Sequence, residues 1–226
     1  MRRLVIKNVK SIRKKIYDHL REQLLSGAVQ PYEHLIEARI ARDIGTSRTP
    51  VREALHSLEL EGLIESIPRV GYVVKPLKEE EVQEICEIRA AIEGVAARWA
   101  INKAPQVLMD DLKKNIATSE EKAAQGDAKA FVELDAQFHE IIARLSGSKR
   151  LQELGGTLRR HMLRYRIQSI YAIDNVLRAI QGHKGILEAI EKGDTEEVRR
   201  AIASHLEQVK VDVLKYAFKE RPKAEE

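Results

Sequence analysis

Apolar residues recur at helical spacing through the first part of the chain. Residues 9–26 carry isoleucine or leucine at every fourth position, and Gly27 supplies a stop. A second, shorter stripe runs from Leu35 to Ile44 and ends at Gly45. The pattern therefore predicts two helices. Their apolar positions are Ile12, Ile16, Leu20 and Leu24 in the first helix, and Leu35, Ile36, Ile40 and Ile44 in the second.

A third helix is predicted to begin directly after Ser47. Serine is a favourable N-cap residue, and Pro50 fits the first turn, where backbone N–H groups lack partners within the helix. The helix runs to about Glu61, and two helices joined by a tight glycine turn form a helix-turn-helix. Its inward-facing apolar residues are Val51, Leu55 and Leu58.

Two short strands are predicted after this helix, at residues 63–67 and 72–74. They are joined through a turn that contains Pro68 and Gly71, and such a strand pair would form a wing beside the helices. A charged run of a different character follows Pro76. We therefore expect residues 1–76 to form one domain.

Every segment after this boundary has helical periodicity, and the aromatic content of the chain is only 4%. About six helices are predicted, which gives a helical bundle over residues 77–226. The expected fold class is mainly α, with an N-terminal winged helix-turn-helix followed by an all-α domain. The breaks between the helices are Pro105, 126–127, 146–148, 169–174 and 193–194.

The charge of the chain is concentrated at its start. The net charge is +4 over 226 residues, but it is +5 up to Pro76 (14 basic minus 9 acidic residues) and −1 beyond it (25 minus 26). A basic first domain is typical of a protein that binds a polyanion such as DNA, although a solvated surface can carry the same charge. With a single cysteine, Cys86, and neither a membrane-length apolar run nor a signal peptide, we expect a cytoplasmic protein without a membrane partner.

Four polar residues of the second domain fall on or beside apolar helix stripes. They are Asp135, His139, His183 and His205, and we expect them to face inward. One carboxylate and three imidazoles from three helices suit a divalent transition metal such as zinc, nickel or manganese. Taken singly, each histidine is better explained as a hydrogen-bonded core residue, and only the four residues together favour a metal site. His161 also flanks an apolar stripe, and periodicity alone does not exclude it.

Arg89 is a further polar residue on an apolar helix face, close to Val82 and Ile85. A buried guanidinium needs a hydrogen-bond acceptor. The acceptor would be an anionic ligand, or else a carboxylate of the chain itself, either Glu93 or Asp135.

The motifs of both halves resemble a known family. Residues 27–74 resemble the winged helix of GntR-family bacterial transcription regulators, and the second half is similar to the FCD effector domain of the FadR subfamily. The first resemblance rests on Pro31, Leu35, Glu37, Ala41, Ile44, Gly45, 47–55, Leu58, 61–64 and Gly71. The second rests on Glu87, Ile88, Arg89, Glu93, Leu134, Asp135, Phe138, His139, His183, Ile186, Leu187, Gly193, Asp194, His205 and Leu206.

For DNA binding, the resemblance implies that the helix after Ser47 enters the major groove. Arg48 and Arg52 match positions that contact DNA, and an arginine can form paired hydrogen bonds with guanine. Thr49 matches a neighbouring contact. The remaining expected contacts are Ser47 with a phosphate, and Arg69 and Gly71 at the wing. The alternative for both helix arginines is pairing with Glu53 or with solvent.

For the second domain, the resemblance implies that Asp135, His139, His183 and His205 are metal ligands. It also implies that Arg89 binds a small carboxylate effector beside the metal, while His161 matches no ligand. The expected protein is a homodimeric transcription repressor that reads a pseudopalindromic operator under effector control. Two alternatives are a metal-dependent enzyme acting on a small organic acid and an architectural DNA-binding protein without an effector.

Overall fold

The computed structural model describes residues 11–26, 28–76, 78–170 and 173–218. The chain divides into two compact units, Met1–Leu77 and Lys78–Glu226. The expected start of the first helix at residues 9–10 and its stop at Gly27 lie outside the described residues.

The first unit contains three helices and a three-stranded antiparallel sheet in the order β1-β3-β2. In β3, Tyr72 pairs with Leu35 of β1 and with Ser66 of β2. The elements are α1 (Ile12–Ser26), β1 (His34–Leu35), α2 (Glu37–Ile44), α3 (Arg48–Leu60), β2 (Ile64–Ile67) and β3 (Gly71–Val74). The predicted helix-turn-helix and wing are thus confirmed.

The core of this unit follows the apolar stripes of α1 and α3. Ile16 and Leu20 pack against α3, and a single core also takes in Leu35 and the strands. The side chains of α3 that were expected to face inward, Val51, Leu55 and Leu58, are fully buried.

The prediction for the second helix was partly wrong. Leu35 belongs to β1, because its backbone pairs with β3, and the helix begins only at Glu37. Ile36 and Ile44 are 44% and 42% exposed, so the side chain that α2 buries is that of Ala41.

The second unit is all helical over its described residues, as predicted. Its helices are α4 (Glu79–Lys103), α5 (Pro105–Ala124), α6 (Ala128–Leu145), α7 (Lys149–Ile170), α8 (Ile173–Lys192) and α9 (Thr195–Ala217). Pro105 occupies the first turn of α5, and the side chains of Asp127 and Asp194 cap α6 and α9. Residues 171–172, within the expected break before α8, lie outside the described residues.

Packing in this unit brings α4, α6, α8 and α9 around one apolar core. Phe131, Phe138 and Ile202 are among its fully buried side chains. Among the described residues, no helix combines the length and the apolar composition needed to cross a bilayer. The polar residues considered next lie within this core.

Candidate metal centre and DNA-binding helix

The N-terminal end of α3 is the exposed end of the helix-turn-helix. Gly45 ends α2 with a left-handed φ of 74°, and Ser47 is the extended N-cap residue of α3. The Ser47 side chain makes no capping hydrogen bond. Arg48, Thr49 and Arg52 are all exposed, so the three residues expected to contact bases lie on an accessible surface.

Arg52 is paired with a carboxylate that the sequence did not suggest. Its Nε and Nη2 donate hydrogen bonds of 2.9 and 2.8 Å to the two carboxylate oxygens of Glu37 in α2. This bidentate contact lowers the pKa of Glu37. The alternative in which Arg52 pairs with Glu53 is therefore wrong, because the partner is Glu37. The pair leaves the Arg52 side chain 64% exposed and orients its guanidinium from the preceding helix.

The wing turn contains both predicted wing residues. Arg69 is exposed and has a φ of 67°, in the left-handed region that few residues other than glycine adopt. Gly71 has a φ of 126°, and a Cβ at this position would stand 3.0 Å from the carbonyl oxygen of Leu35. Gly71 is therefore required by the close approach of β1, whatever contact the wing makes with DNA.

The structure brings Asp135, His139, His183 and His205 together in the core of the second unit. Asp135 and His139 lie one turn apart on α6, and the other two residues come from α8 and α9. One potential ligand atom from each residue lies within 4.8 Å of the others. All four side chains are at most 4% exposed.

Two imidazole nitrogens in this cluster are buried without a hydrogen-bond partner, Nε2 of His139 and Nε2 of His205. A buried polar atom normally has a partner, and its absence indicates a site for a ligand or an ion. Four ligands about 2.0–2.1 Å from a zinc ion would lie about 3.3 Å apart, so the cluster needs only a modest contraction. The residues present therefore fit a divalent transition metal.

The electrostatics of the cluster favour the neutral form of His205. Burial, followed by the neighbouring charges of His183 and His139, lowers the pKa of His205 well below its ordinary value. The neutral imidazole is the form that binds a metal. The His183 ring stacks on Phe138 with a 3.8 Å centroid distance, and its Nε2 lies 3.6 Å from Asp135 Oδ1.

Glu93 of α4 supports both the candidate metal centre and Arg89. Its Oε2 lies 2.8 Å from Nδ1 of His139, which is the ring nitrogen opposite the unpartnered Nε2. Its Oε1 accepts a 2.8 Å hydrogen bond from Nε of Arg89. Burial alone would raise the pKa of Glu93, but the lowering by Arg89 and His139 is larger than this increase. The carboxyl group is therefore held ionised.

Arg89 forms the ion pair with Glu93 that the sequence offered as the alternative to an anionic ligand, and its Nη2 remains available as a donor. The side chain is 1% exposed, and its Nη2 is buried without a hydrogen-bond partner. The i, i+4 spacing indicated the pairing with Glu93. The contact between Glu93 and His139 had no signal in the sequence, because it depends on how α4 packs against α6.

Two further residues near the cluster were not found from the sequence. Arg159 of α7 has a side chain that is only 10% exposed, and its Nη1 is buried without a partner. Gly182 of α8 lies against His205, since a Cβ there would stand 2.4 Å from the Nδ1 atom of that ring. His161 is partly buried and does not belong to the four-residue cluster.

A cavity of about 360 Å³ opens between α8 and α9. It reaches one residue of the cluster, His205, and also contacts Gly182 and Phe131. Asp135, His139, His183, Arg89 and Glu93 do not line it, so the cavity touches the cluster through His205.

Comparisons with known proteins agree with this two-unit architecture. Residues 12–74 match the model of the gntR family of bacterial regulatory proteins, and residues 84–208 match the FCD domain. The chain belongs to the GntR family. It is a DNA-binding transcription regulator with an FCD domain.

Individual relatives cover most of this regulator. A probable D-xylose utilization operon transcriptional repressor of Paenarthrobacter nicotinovorans is 32% identical over 171 residues, 75% of this chain and 74% of the relative. The uncharacterized HTH-type transcriptional regulator YdhC of Bacillus subtilis is 26% identical over 190 residues, 84% and 85% of the two chains. The solved structure of E. coli McbR/YncC, 23% identical, shares the fold with a TM-score of 0.72 over 92% of this chain and 99% of that one.

Proposed function

We propose that this GntR-family regulator is a repressor whose affinity for DNA is controlled by a small carboxylate bound at a divalent metal. The observation that carries the proposal is the buried cluster of Asp135, His139, His183 and His205, beside the spare donor of Arg89. Within it, the Nε2 atoms of His139 and His205 have no hydrogen-bond partner. Relatives named as repressors of a D-xylose and of a gluconate operon support the direction of control.

The DNA-binding surface is the exposed start of α3 together with the wing. Arg48, Thr49 and Arg52 read base edges in the major groove, while Ser47 contacts a phosphate. Arg69, in the turn before Gly71, approaches the backbone beside the groove. Two copies of the chain, related by a two-fold axis, read the two halves of a pseudopalindromic operator.

The ligand site combines a metal with a buried cation. One carboxylate and three imidazoles would hold a zinc, nickel or manganese ion, and an ion of this kind would polarise and bind a carboxylate of the effector if it expanded its coordination beyond these four ligands. Arg89 donates to the same carboxylate from α4, and Glu93 fixes the orientations of Arg89 and His139. Residues 77–226 thus form the effector-binding and dimerisation domain.

The test is a thermal-shift series on the full chain with small carboxylates, with and without a chelator. We expect the chelator to lower the melting temperature and carboxylates to raise it only when metal is present. His183→Ala should lose metal, whereas the control His161→Ala, outside the cluster, should keep it.

Unchanged metal content in His183→Ala would reject the assignment of the ligands. The link to DNA is tested by selecting an operator from random duplexes and measuring its affinity with and without the active carboxylate. An operator affinity that is indifferent to both metal and carboxylates would reject effector control.

A further inference from the structure

Arg159 is a buried arginine whose hydrogen bonds are incomplete. It lies on α7, and its Nη1 has no partner in the protein. The ion-pair contact of this side chain, Nη2 with Oε2 of Glu140, is long at 4.0 Å, and Glu140 is itself 65% exposed. Burying a guanidinium without acceptors is costly, so the side chain is suited to a ligand that supplies them.

Arg159 interacts electrostatically with residues of the metal cluster and its neighbours. The helix α7 packs against α4, α6 and α9, the helices that carry Arg89, Asp135 and His205. Burial lowers the pKa of Arg159, the charges of Glu93 and Asp135 oppose this effect, and the charge of Arg89 adds to it. Arg159 is therefore within electrostatic range of both the candidate ligands and the first arginine.

A glycine leaves room for this guanidinium. A Cβ at position 155, one turn before Arg159, would stand only 3.0 Å from Nη1. The side chain thus folds back over Gly155, and Nη1 lies in a tight, buried position.

A dianion would balance the charges of the site once a divalent metal is bound. The buried charged side chains are two arginines, Arg89 and Arg159, and two carboxylates, Glu93 and Asp135, so their sum is zero. A divalent metal raises the total to +2. One carboxylate would leave a buried positive charge, which is unfavourable in a low-dielectric interior, whereas two carboxylates leave none.

We propose that Arg159 is a second anion-binding residue of this site and that the effector is a dicarboxylate. One carboxylate binds at the metal beside Arg89, and the other accepts hydrogen bonds from Nη1 of Arg159. Two spare donors on two different helices favour two separate anionic groups over one compact phosphate. This inference rests on the proposed function, and it specifies the class of effector.

The experiment compares ligands of equal chain length on the zinc-loaded full chain. Succinate and butyrate are titrated in parallel by thermal shift and calorimetry, and glutarate is paired with valerate. Inorganic phosphate is the third arm. We expect at least one dicarboxylate to bind about 30-fold more tightly than its monocarboxylate partner, the scale of a buried charged hydrogen-bonded pair.

Variants assign this preference to Arg159. Arg159→Leu should lose the preference for the dicarboxylate and keep both zinc binding and the response to monocarboxylates. Arg159→Lys retains the charge and much of the packing, so it separates a loss of dicarboxylate binding from misfolding. It should also bind the dicarboxylate more weakly, because lysine lacks the planar pair of N–H donors. The matched control is Arg160→Leu, because Arg160 is exposed.

Several outcomes would overturn the inference. The first is equal affinity for dicarboxylates and monocarboxylates. The second is a preference for the dicarboxylate that survives in both Arg159 variants. The third is phosphate binding that is as tight as that of any dicarboxylate and depends on Arg159 in the same way. Failure of every carboxylate to bind the zinc-loaded chain would instead reject the proposed function itself. The two kinds of failure are thus distinguishable.

Discussion

Gly182 offers a way to test the metal centre without removing any ligand. In the structure its Cα lies against the His205 ring, and an alanine Cβ would stand 2.4 Å from Nδ1 and 3.1 Å from Cγ. Ordinary van der Waals contact begins at about 3.4 Å. Gly182→Ala must therefore displace the imidazole, or the local backbone of α8, by about 1 Å.

We expect this displacement to weaken zinc binding by about 10- to 100-fold, the range typical of changes that disturb the orientation of a metal ligand. Alanine is about 1 kcal/mol more favourable than glycine within a helix, so a weaker helix would not account for the loss. Zinc affinity is measured by calorimetry on metal-free protein, together with melting temperatures before and after chelation.

Gly185 provides the matched control three residues further along the same helix. A Cβ at this position would meet no atom within 4 Å. Gly185→Ala should therefore keep its zinc affinity and become more stable by up to about 1 kcal/mol. Equal zinc affinities in the two variants would refute the reasoning, because the position of the His205 ring would then have no influence on the metal.

Two further predictions concern Glu37 and Asp194. Glu37→Gln frees Arg52 from its ion pair, so binding to random DNA should strengthen while discrimination in favour of the operator falls by up to about tenfold, measured by fluorescence anisotropy. Glu53→Gln removes an equal charge from α3, and an identical loss of discrimination there would contradict the role of the ion pair. Hydrogen bonds from the backbone N–H groups of Glu197 and Glu196 lower the pKa of Asp194 in the folded protein. The Asp194 cap therefore stabilises α9 fully when the pH is above the unfolded-state pKa of about 3.9, and this stabilisation is lost as the pH falls through the lower folded-state pKa. Asparagine can cap the helix but does not titrate, so the melting temperature of Asp194→Asn should fall less steeply on acidification than that of the wild type. Parallel plots of melting temperature against pH for the wild type and the variant would count against this role of Asp194.

Most of the fold follows from local pattern. Helix α3 was predictable because its buried residues recur at helical spacing and Pro50 suits its first turn; Ser47 is its N-cap residue, although the Ser47 side chain makes no capping hydrogen bond. Strand β1 was not predictable, because it is only two residues long and its partner Tyr72 is remote in sequence. The doublet of Leu35 and Ile36 fits a helix or a strand equally well, and only the pairing with β3 decides between them.

The site was predictable only in part. Spacing places Asp135 and His139 on one face of α6, but the approach of α8 and α9 depends on tertiary packing, and the resemblance supplied that information. Arg159 had no signal of its own, because Arg160 next to it is chemically identical and exposed. Which of the two is buried depends on where α7 meets α4 and α6.

The distribution of the four candidate ligands over three helices has a consequence for the integrity of the fold. With Cys86 as its single cysteine, this chain has no internal disulfide. A metal bound by the four candidate ligands would be a reversible cross-link between α6, α8 and α9. By mass action, free metal at a hundred times its dissociation constant would stabilise the folded state by about 2.7 kcal/mol. The lifetime of the regulator against proteolysis would then follow the supply of metal in the cell, even when no effector is bound.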